Sequence, residues 1–182
     1  MFFWLDARWL KNVHKLGCRR GNYYQGGKSM NTECELVQRD AQPTLVIRSR
    51  CNVKDLPQVL GVAYQTLASY IASVKQEPAG PPFAAYHNDD MQNLDLEIGY
   101  PVQDFLPGSE EVQASEIPAG RYAMTIYTGP YNEIAPAYQQ ISVWIESQEL
   151  KASGSAYEMY LNDPGDTPAA ELQTMILFPL IT

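Results

Sequence analysis

Histidine and cysteine are scarce in this chain, and their scarcity excludes several classes of site. Among 182 residues there are two histidines, His14 and His87, and three cysteines, Cys18, Cys34 and Cys51. Two histidines far apart cannot build a His-based zinc site, and the cysteines lack metal-ligand spacing. Glycine-rich phosphate loops are also absent. We therefore expect no metal, no cofactor and no disulfide framework, with the reducing cytoplasm as the location.

Long apolar runs are missing too, and basic residues are few in the body of the chain. No stretch approaches the roughly 20 apolar residues that a transmembrane helix needs, so we expect no membrane association. Six of the thirteen Lys and Arg but only one of the 21 Asp and Glu lie in residues 1–29. The rest of the chain keeps seven bases and twenty acids, a net charge of −13. Such a body repels nucleic acid, so we expect no direct nucleic-acid binding.

Residues 1–29 are basic and aromatic, unlike the acidic remainder of the chain. A signal peptide is disfavoured because Asp6, Arg8 and Lys11 interrupt the apolar stretch and no small-residue cleavage site comes after it. A basic amphipathic helix that contacts a membrane or a partner is a second interpretation. We prefer a third, in which Met30 is the natural start and residues 1–29 are a leader outside the fold. The domain would then be residues 30–182.

The body matches itself when it is shifted by 74 residues, a test for internal repeats. Ala63-Tyr64-Gln65 falls on Ala137-Tyr138-Gln139. Further identical pairs occur in order without a gap: Ile71 with Ile145, Ser73 with Ser147, Gly80 with Gly154, Tyr86 with Tyr160, and Asn88-Asp89 with Asn162-Asp163. The match predicts two repeats, at about 42–103 and 119–181.

Each repeat predicts the order strand, helix, strand, strand. β-rich segments open the two repeats, and segments with an apolar 3.6-residue period come next as helices. Asp55 is the predicted N-cap of the first helix. The strands are predicted at 44–50, 83–88, 94–102, 121–128, 157–162 and 172–180, with leading strands at 37–40 and 112–117, and the helices at 55–76 and 132–150. We predict an α+β fold, an antiparallel sheet with two long helices and pseudo-twofold symmetry.

Glu158 is the main candidate for a functional residue. Alternate residues of a strand share a face, so Glu158 and Tyr160 point the same way. The matching positions in the first repeat are Ala84 and Tyr86, so the tyrosine occurs in both repeats and the acid in one. A single inward carboxylate beside tyrosines suits one cationic aromatic ligand. A solvated strand carboxylate or an internal ion-pair partner is the alternative.

Aromatic residues supply the other candidates. Ten of the twelve tyrosines lie after residue 30, and binding pockets favour large apolar side chains with a polar tip. Trp144 suits the core as well as a pocket wall. Besides Glu158, the predicted ligand-binding residues are Tyr86, Tyr160, Trp144, Tyr127 and Tyr131.

These motifs resemble the GyrI-like small-molecule-binding domain, also called the AraC-type effector-binding domain. The resemblance is carried by RYAMTIYTGPY at 121–131, AYQQISVWIESQEL at 137–150, AYEMYLNDP at 156–164 and LDLEIGYPV at 94–102. It implies a duplicated fold with a central cleft between the repeats. In regulator members, a glutamate matching Glu158 accepts cationic, aromatic drugs. Since residues 1–32 are too few for a helix-turn-helix, we expect a stand-alone member.

Three hypotheses for the function arise from these observations. The first is a binding protein for lipophilic cationic or aromatic compounds, with Glu158 as the central acid. The second is a hydrolase that detoxifies cyclopropane-type DNA-alkylating compounds, with Glu158 as the general base and Tyr160 as the proton donor. The third is an acidic inhibitor that contacts gyrase, or a regulator, as its partner.

Overall fold

The structure is a computed structural model that describes residues 33–181, so the predicted leader at 1–29 lies outside the described residues. Eight strands and two α-helices make up the described part of the chain. They are β1 (Cys34–Arg39), β2 (Gln42–Cys51), α1 (Leu56–Ser73), β3 (Phe83–Tyr86), β4 (Leu94–Pro101), β5 (Gln113–Ile117), β6 (Gly120–Thr128), α2 (Ala135–Ser147), β7 (Ala156–Tyr160) and β8 (Gln173–Pro179). Every one overlaps a predicted segment, which confirms the α+β class. Between residues 33 and 181 no helix is long and apolar enough to cross a membrane.

The eight strands form one curled antiparallel sheet in the order β1-β6-β8-β7-β3-β4-β2-β5. β3 and β7 pair at its middle, with Ala84 opposite Glu158 and Tyr86 opposite Ala156. The outer strands are exchanged, because β1 pairs with β6 while β5 pairs with β2. Along the chain, β2, α1, β3 and β4 belong to one half of the sheet, and β6, α2, β7 and β8 belong to the other. Each half thus has the order strand, helix, strand, strand. A pseudo-twofold relation between the halves stays a prediction.

Both faces of the sheet are covered. On one face, α1 and α2 each bury residues spaced three or four apart, as an amphipathic helix does. These residues are Ala63, Leu67 and Ile71 in α1 and Ala137, Ile141 and Ile145 in α2. On the other face, strand residues alone form a core cluster that includes Phe83, Tyr122, Tyr157, Met159 and Leu177. Because helices and curled strands enclose it from both sides, β7 is buried along its whole length.

The helix ends differ in detail from the prediction. Asp55 is the N-cap residue of α1, as predicted, but its side chain makes no hydrogen bond to the helix. Pro57 in the first turn has no N–H to be capped, which lowers the need for it. Beyond the C-termini of the two helices, Lys75 and Glu149 both have a φ of 56°. They are 74 residues apart, the same shift as in the sequence match.

Candidate functional site

A cavity of about 1710 Å³ lies on the helix-covered side of the sheet. Residues of α1, α2 and the central strands line it, together with the segment 78–82. Pockets for drug-sized ligands are usually about 300–1,000 Å³, so this one has room for a large organic molecule. Its lining includes six tyrosines, Tyr64, Tyr86, Tyr100, Tyr131, Tyr138 and Tyr160, around one central glutamate.

Glu158 is this central glutamate, and its side chain is held by tyrosine hydroxyls. Tyr138 donates to Oε1 at 2.7 Å, and Tyr160 donates to Oε2 at 2.8 Å. Tyr86 approaches Oε2 at a longer 3.5 Å. Glu158 is only 8% exposed, and its cross-strand neighbours are the small Ala84 and the apolar Ile176. The carboxylate is therefore buried but not orphaned, because three hydroxyls replace the water that it lost.

Burial and hydrogen bonding act on the Glu158 carboxyl in opposite directions. Burial, the larger effect, raises its pKa above the usual value, and the bonds from Tyr138, Tyr160 and Tyr86 lower it in part. Burial likewise raises the pKa of Tyr138 and of Tyr160 well above the usual value, and the nearby Glu158 charge adds to this. Both hydroxyls thus stay protonated and remain donors to the carboxylate.

The aromatic rings form a continuous wall beside the glutamate. Tyr64 packs edge to face on Tyr100 and Tyr160, with ring centroids 5.6 and 6.4 Å apart. Tyr131 packs edge to face on Tyr160 at 5.4 Å. Tyr131 is the most exposed ring of the wall, at 37%, and lies on a single 3-10 turn before α2. Such a wall offers several aromatic faces to a ligand that enters beside Glu158.

The structure brings four of the six predicted ligand-binding residues together and leaves two outside the cavity. Glu158, Tyr86, Tyr131 and Tyr160 line it, whereas Trp144 and Tyr127 do not. Trp144 lies six residues after Tyr138, which turns it about 240° around α2. There it packs against the core cluster of Ala123, Ile141 and Ile145. Tyr127 lies in the core beneath α2, where its hydroxyl donates to the Pro130 carbonyl at 3.0 Å. We therefore leave Trp144 and Tyr127 out of the site.

Three lining tyrosines were not among the predicted residues: Tyr64, Tyr100 and Tyr138. Tyr138 makes the shortest hydrogen bond to Glu158. The signal that could have found Tyr64 and Tyr138 was present, since the 74-residue shift placed one on the other. Tyr100 had no such partner, since the 74-residue shift sets it against Thr174.

Within residues 33–181 no group of three or more His, Cys, Asp or Glu side chains is arranged to hold a metal ion. Glu97, the other buried glutamate of the sheet, instead pairs with Arg48 at 3.1 Å and accepts a bond from Ser115 at 2.7 Å.

The raised pKa of Glu158 predicts a pH-dependent stability. A folded pKa above the unfolded value, which is about 4.3, means that the native state binds more protons between the two values. The free energy of unfolding of the wild type should therefore fall as pH rises through that window. In Glu158→Gln this contribution is absent, so its stability relative to the wild type should improve with rising pH. Urea unfolding from pH 4 to pH 8 measures this, with the exposed Glu116→Gln as control. Parallel profiles for the two variants would contradict it.

Known proteins resemble this chain in sequence and in fold. A DNA gyrase inhibitor from Erwinia billingiae (strain Eb661) is 31% identical over 111 residues, which cover 56% of this chain and 72% of that protein. The EcmrR chain in its cryo-EM complex with DNA has the same fold at a TM-score of 0.73 and 20% identity over 83% of this chain. The match spans 58% of the EcmrR chain. A hydrolase from Listeria innocua matches at a TM-score of 0.63 and 14% identity, over 82% of this chain and 92% of its own.

The family is shown by a match that spans all of the described residues. The model of the GyrI-like small-molecule-binding domain matches residues 32–181. It includes both helices, all eight strands and the glutamate with its tyrosines. The expectation from the sequence motifs is thereby confirmed, and this chain belongs to the GyrI-like small-molecule-binding domain family.

Proposed function

We propose that this domain binds lipophilic cationic or aromatic compounds in the cavity, with Glu158 as the central acid. One observation carries the proposal. Glu158 is buried, yet no Lys, Arg or His of the described residues forms an ion pair with it. A buried carboxylate without a cationic partner is costly, and a ligand cation in the cavity would supply that partner.

The hydrogen bonds of Glu158 indicate which kind of cation fits. Both carboxylate oxygens already accept a bond from a protonated tyrosine. Positive charge is therefore what the ligand must bring, and N–H donors are not required. Quaternary ammonium, phosphonium and delocalised aromatic cations meet this requirement, and the tyrosine faces add cation–π attraction.

We also place the cavity between two structural repeats related by a pseudo-twofold axis. In support, Tyr64 of α1 and Tyr138 of α2, which the 74-residue shift aligns, both line the cavity. Glu158 breaks the symmetry, because Ala84 lies opposite it on β3. One ligand would thus bind off the axis, toward the second repeat.

A permanent cation and its neutral isostere test the proposal directly. Phenyltrimethylammonium and tert-butylbenzene have nearly the same shape and differ in charge. We expect the affinity for the cation to rise as pH increases through the raised pKa of Glu158, because the carboxylate then becomes charged. The affinity for tert-butylbenzene should stay constant. Calorimetric titrations from pH 5 to pH 8 measure both, and the same pH profile for the two ligands would contradict the proposal.

A hydrolase is the second candidate function. The raised pKa of Glu158 suits a general base, and the Listeria innocua protein with this fold is a hydrolase. Glu158 would take a proton from water as the water oxygen attacks a strained cyclopropane carbon and a C–C bond of the ring breaks. The electron pair of that bond would pass to a conjugated carbonyl oxygen of the substrate, which becomes a phenolate-like oxygen and takes the proton of Tyr160. Transfer of the proton from Glu158 to Tyr160 would then restore both residues. In the resting structure, however, the Tyr160 hydroxyl donates to Glu158 itself, which favours binding over turnover. Mass spectrometry after incubation with a cyclopropane-type alkylating compound would detect a product heavier by one water.

Gyrase inhibition is a third candidate, supported by the Erwinia billingiae relative. The acidic body, at a net charge of −13, could present a surface that competes with DNA. A supercoiling assay with purified gyrase, with and without the protein, tests this candidate apart from ligand binding.

A further inference from the structure

The hydroxyl of Tyr64 differs from the other tyrosine hydroxyls near Glu158. Those of Tyr138, Tyr160 and Tyr86 donate to the carboxylate. The Tyr64 hydroxyl is buried and has no hydrogen-bond partner among the described residues. The hydroxyls of Thr44 and Thr174 are also buried without a hydrogen-bond partner among the described residues, but neither threonine lines the cavity. Among the described residues, Tyr64 is therefore the cavity-lining residue whose buried donor is unused.

The surroundings of Tyr64 keep this donor in place. Its ring packs edge to face on Tyr100 and Tyr160, and α1 fixes its backbone. Burial raises the pKa of Tyr64 well above the usual value, so the hydroxyl keeps its proton. A buried donor without an acceptor destabilises the folded protein, and native proteins contain few such groups. A ligand acceptor would satisfy it.

We infer that Tyr64 is a specificity-determining residue whose hydroxyl donates to an acceptor on the ligand, so that the cavity selects aromatic cations that also carry a carbonyl or a similar acceptor. This inference rests on the proposed function and adds a second requirement to it. Glu158 recognises the charge of the ligand, and Tyr64 recognises its acceptor. Tyr64 lines the cavity, so its side chain borders the space that the ligand would occupy.

Four para-substituted benzenes separate the two requirements. The first substituent, trimethylammonium or its neutral isostere tert-butyl, tests the requirement for charge. The second substituent, acetyl or isopropyl, tests the requirement for an acceptor, because these two groups are close in shape. We expect Tyr64→Phe to lower the ratio of acetyl to isopropyl affinity by about tenfold, the size of one hydrogen bond. The ratio should fall for the cationic pair and for the neutral pair. Dissociation constants by calorimetry, in wild type and variant, give both ratios.

Stability gives a second, independent measurement. Removal of an unsatisfied hydroxyl should raise the Tm of ligand-free Tyr64→Phe. Tyr70, on the same helix, is the matched control, because its hydroxyl donates to the Pro107 carbonyl at 2.7 Å and it does not line the cavity. Tyr70→Phe should lower the Tm and leave the acetyl-to-isopropyl ratio unchanged.

The results separate the failure of this inference from that of the proposed function. An acetyl-to-isopropyl ratio that is equal in wild type and Tyr64→Phe overturns the inference, whatever the effect of charge. If the ammonium and tert-butyl compounds bind equally while Tyr64→Phe still removes the acetyl preference, the proposed role of Glu158 fails and the role of Tyr64 stands. A lower Tm for Tyr64→Phe would show that the hydroxyl already has a partner, and would also overturn the inference.

Discussion

Glu158→Gln is expected to weaken the binding of a quaternary aromatic cation by about 1–3 kcal/mol, the range of a charge-assisted contact. The substitution keeps the size of the side chain and an oxygen that can accept from Tyr138 or Tyr160, but it removes the charge. A neutral isostere loses no charge pairing, so its affinity should change by less than about 0.5 kcal/mol. The effect is large because the carboxylate is buried and the described residues give it no cation of their own.

The matched control is Glu97→Gln. Glu97 is also buried, at 7% exposed, but it is paired with Arg48 and does not line the cavity. Its substitution should cost stability and leave both ligand affinities unchanged. Calorimetry with phenyltrimethylammonium and tert-butylbenzene measures the two variants side by side. Equal losses for both ligands in Glu158→Gln, or no loss for either, would remove Glu158 from the site. Lost turnover with normal substrate affinity would favour the hydrolase instead.

Gly99→Ala is expected to destabilise the fold by about 1–3 kcal/mol, as overpacking of a close-packed core does. A Cβ built on Gly99 lies 2.7 Å from the Leu45 carbonyl oxygen and from Val46 Cγ1, and 2.8 Å from the Phe83 ring. The carbonyl belongs to the neighbouring strand β2 and cannot yield as a flexible side chain would. This clash lies at the pairing of β4 with β2 and β3, next to the central strands that hold Glu158.

Gly61→Ala is the control for this prediction and should act in the opposite direction. A Cβ on Gly61 meets nothing within 4 Å, and the residue is exposed within α1. Replacing a helical glycine by alanine should therefore stabilise the protein by about 0.5–1 kcal/mol. Since Gly61 lines the cavity, both variants are compared without ligand, by urea denaturation. A Gly99→Ala variant as stable as the wild type would show that β2 and β4 are packed more loosely than in the structure.

Local patterns in the sequence determined the elements and part of the site. Strand alternation put Glu158 and Tyr160 on one face, and the structure has both in the cavity. The 3.6-residue period located both helices to within about three residues at each end. These properties depend on neighbours in the chain, because backbone geometry fixes which side chains share a face.

Tertiary structure alone decided which residues of other elements contact Glu158. Tyr138 reaches it from α2 and Tyr86 from the neighbouring strand, and the position of each depends on how the helices pack on a curled sheet. The same packing left the Tyr64 hydroxyl without an acceptor among the described residues. A sequence pattern gives the direction of a side chain from its own element, whereas the distance between two elements is set by the packing of everything between them. Which hydroxyls touch the carboxylate, and which one stays free, was therefore decided only in the folded chain.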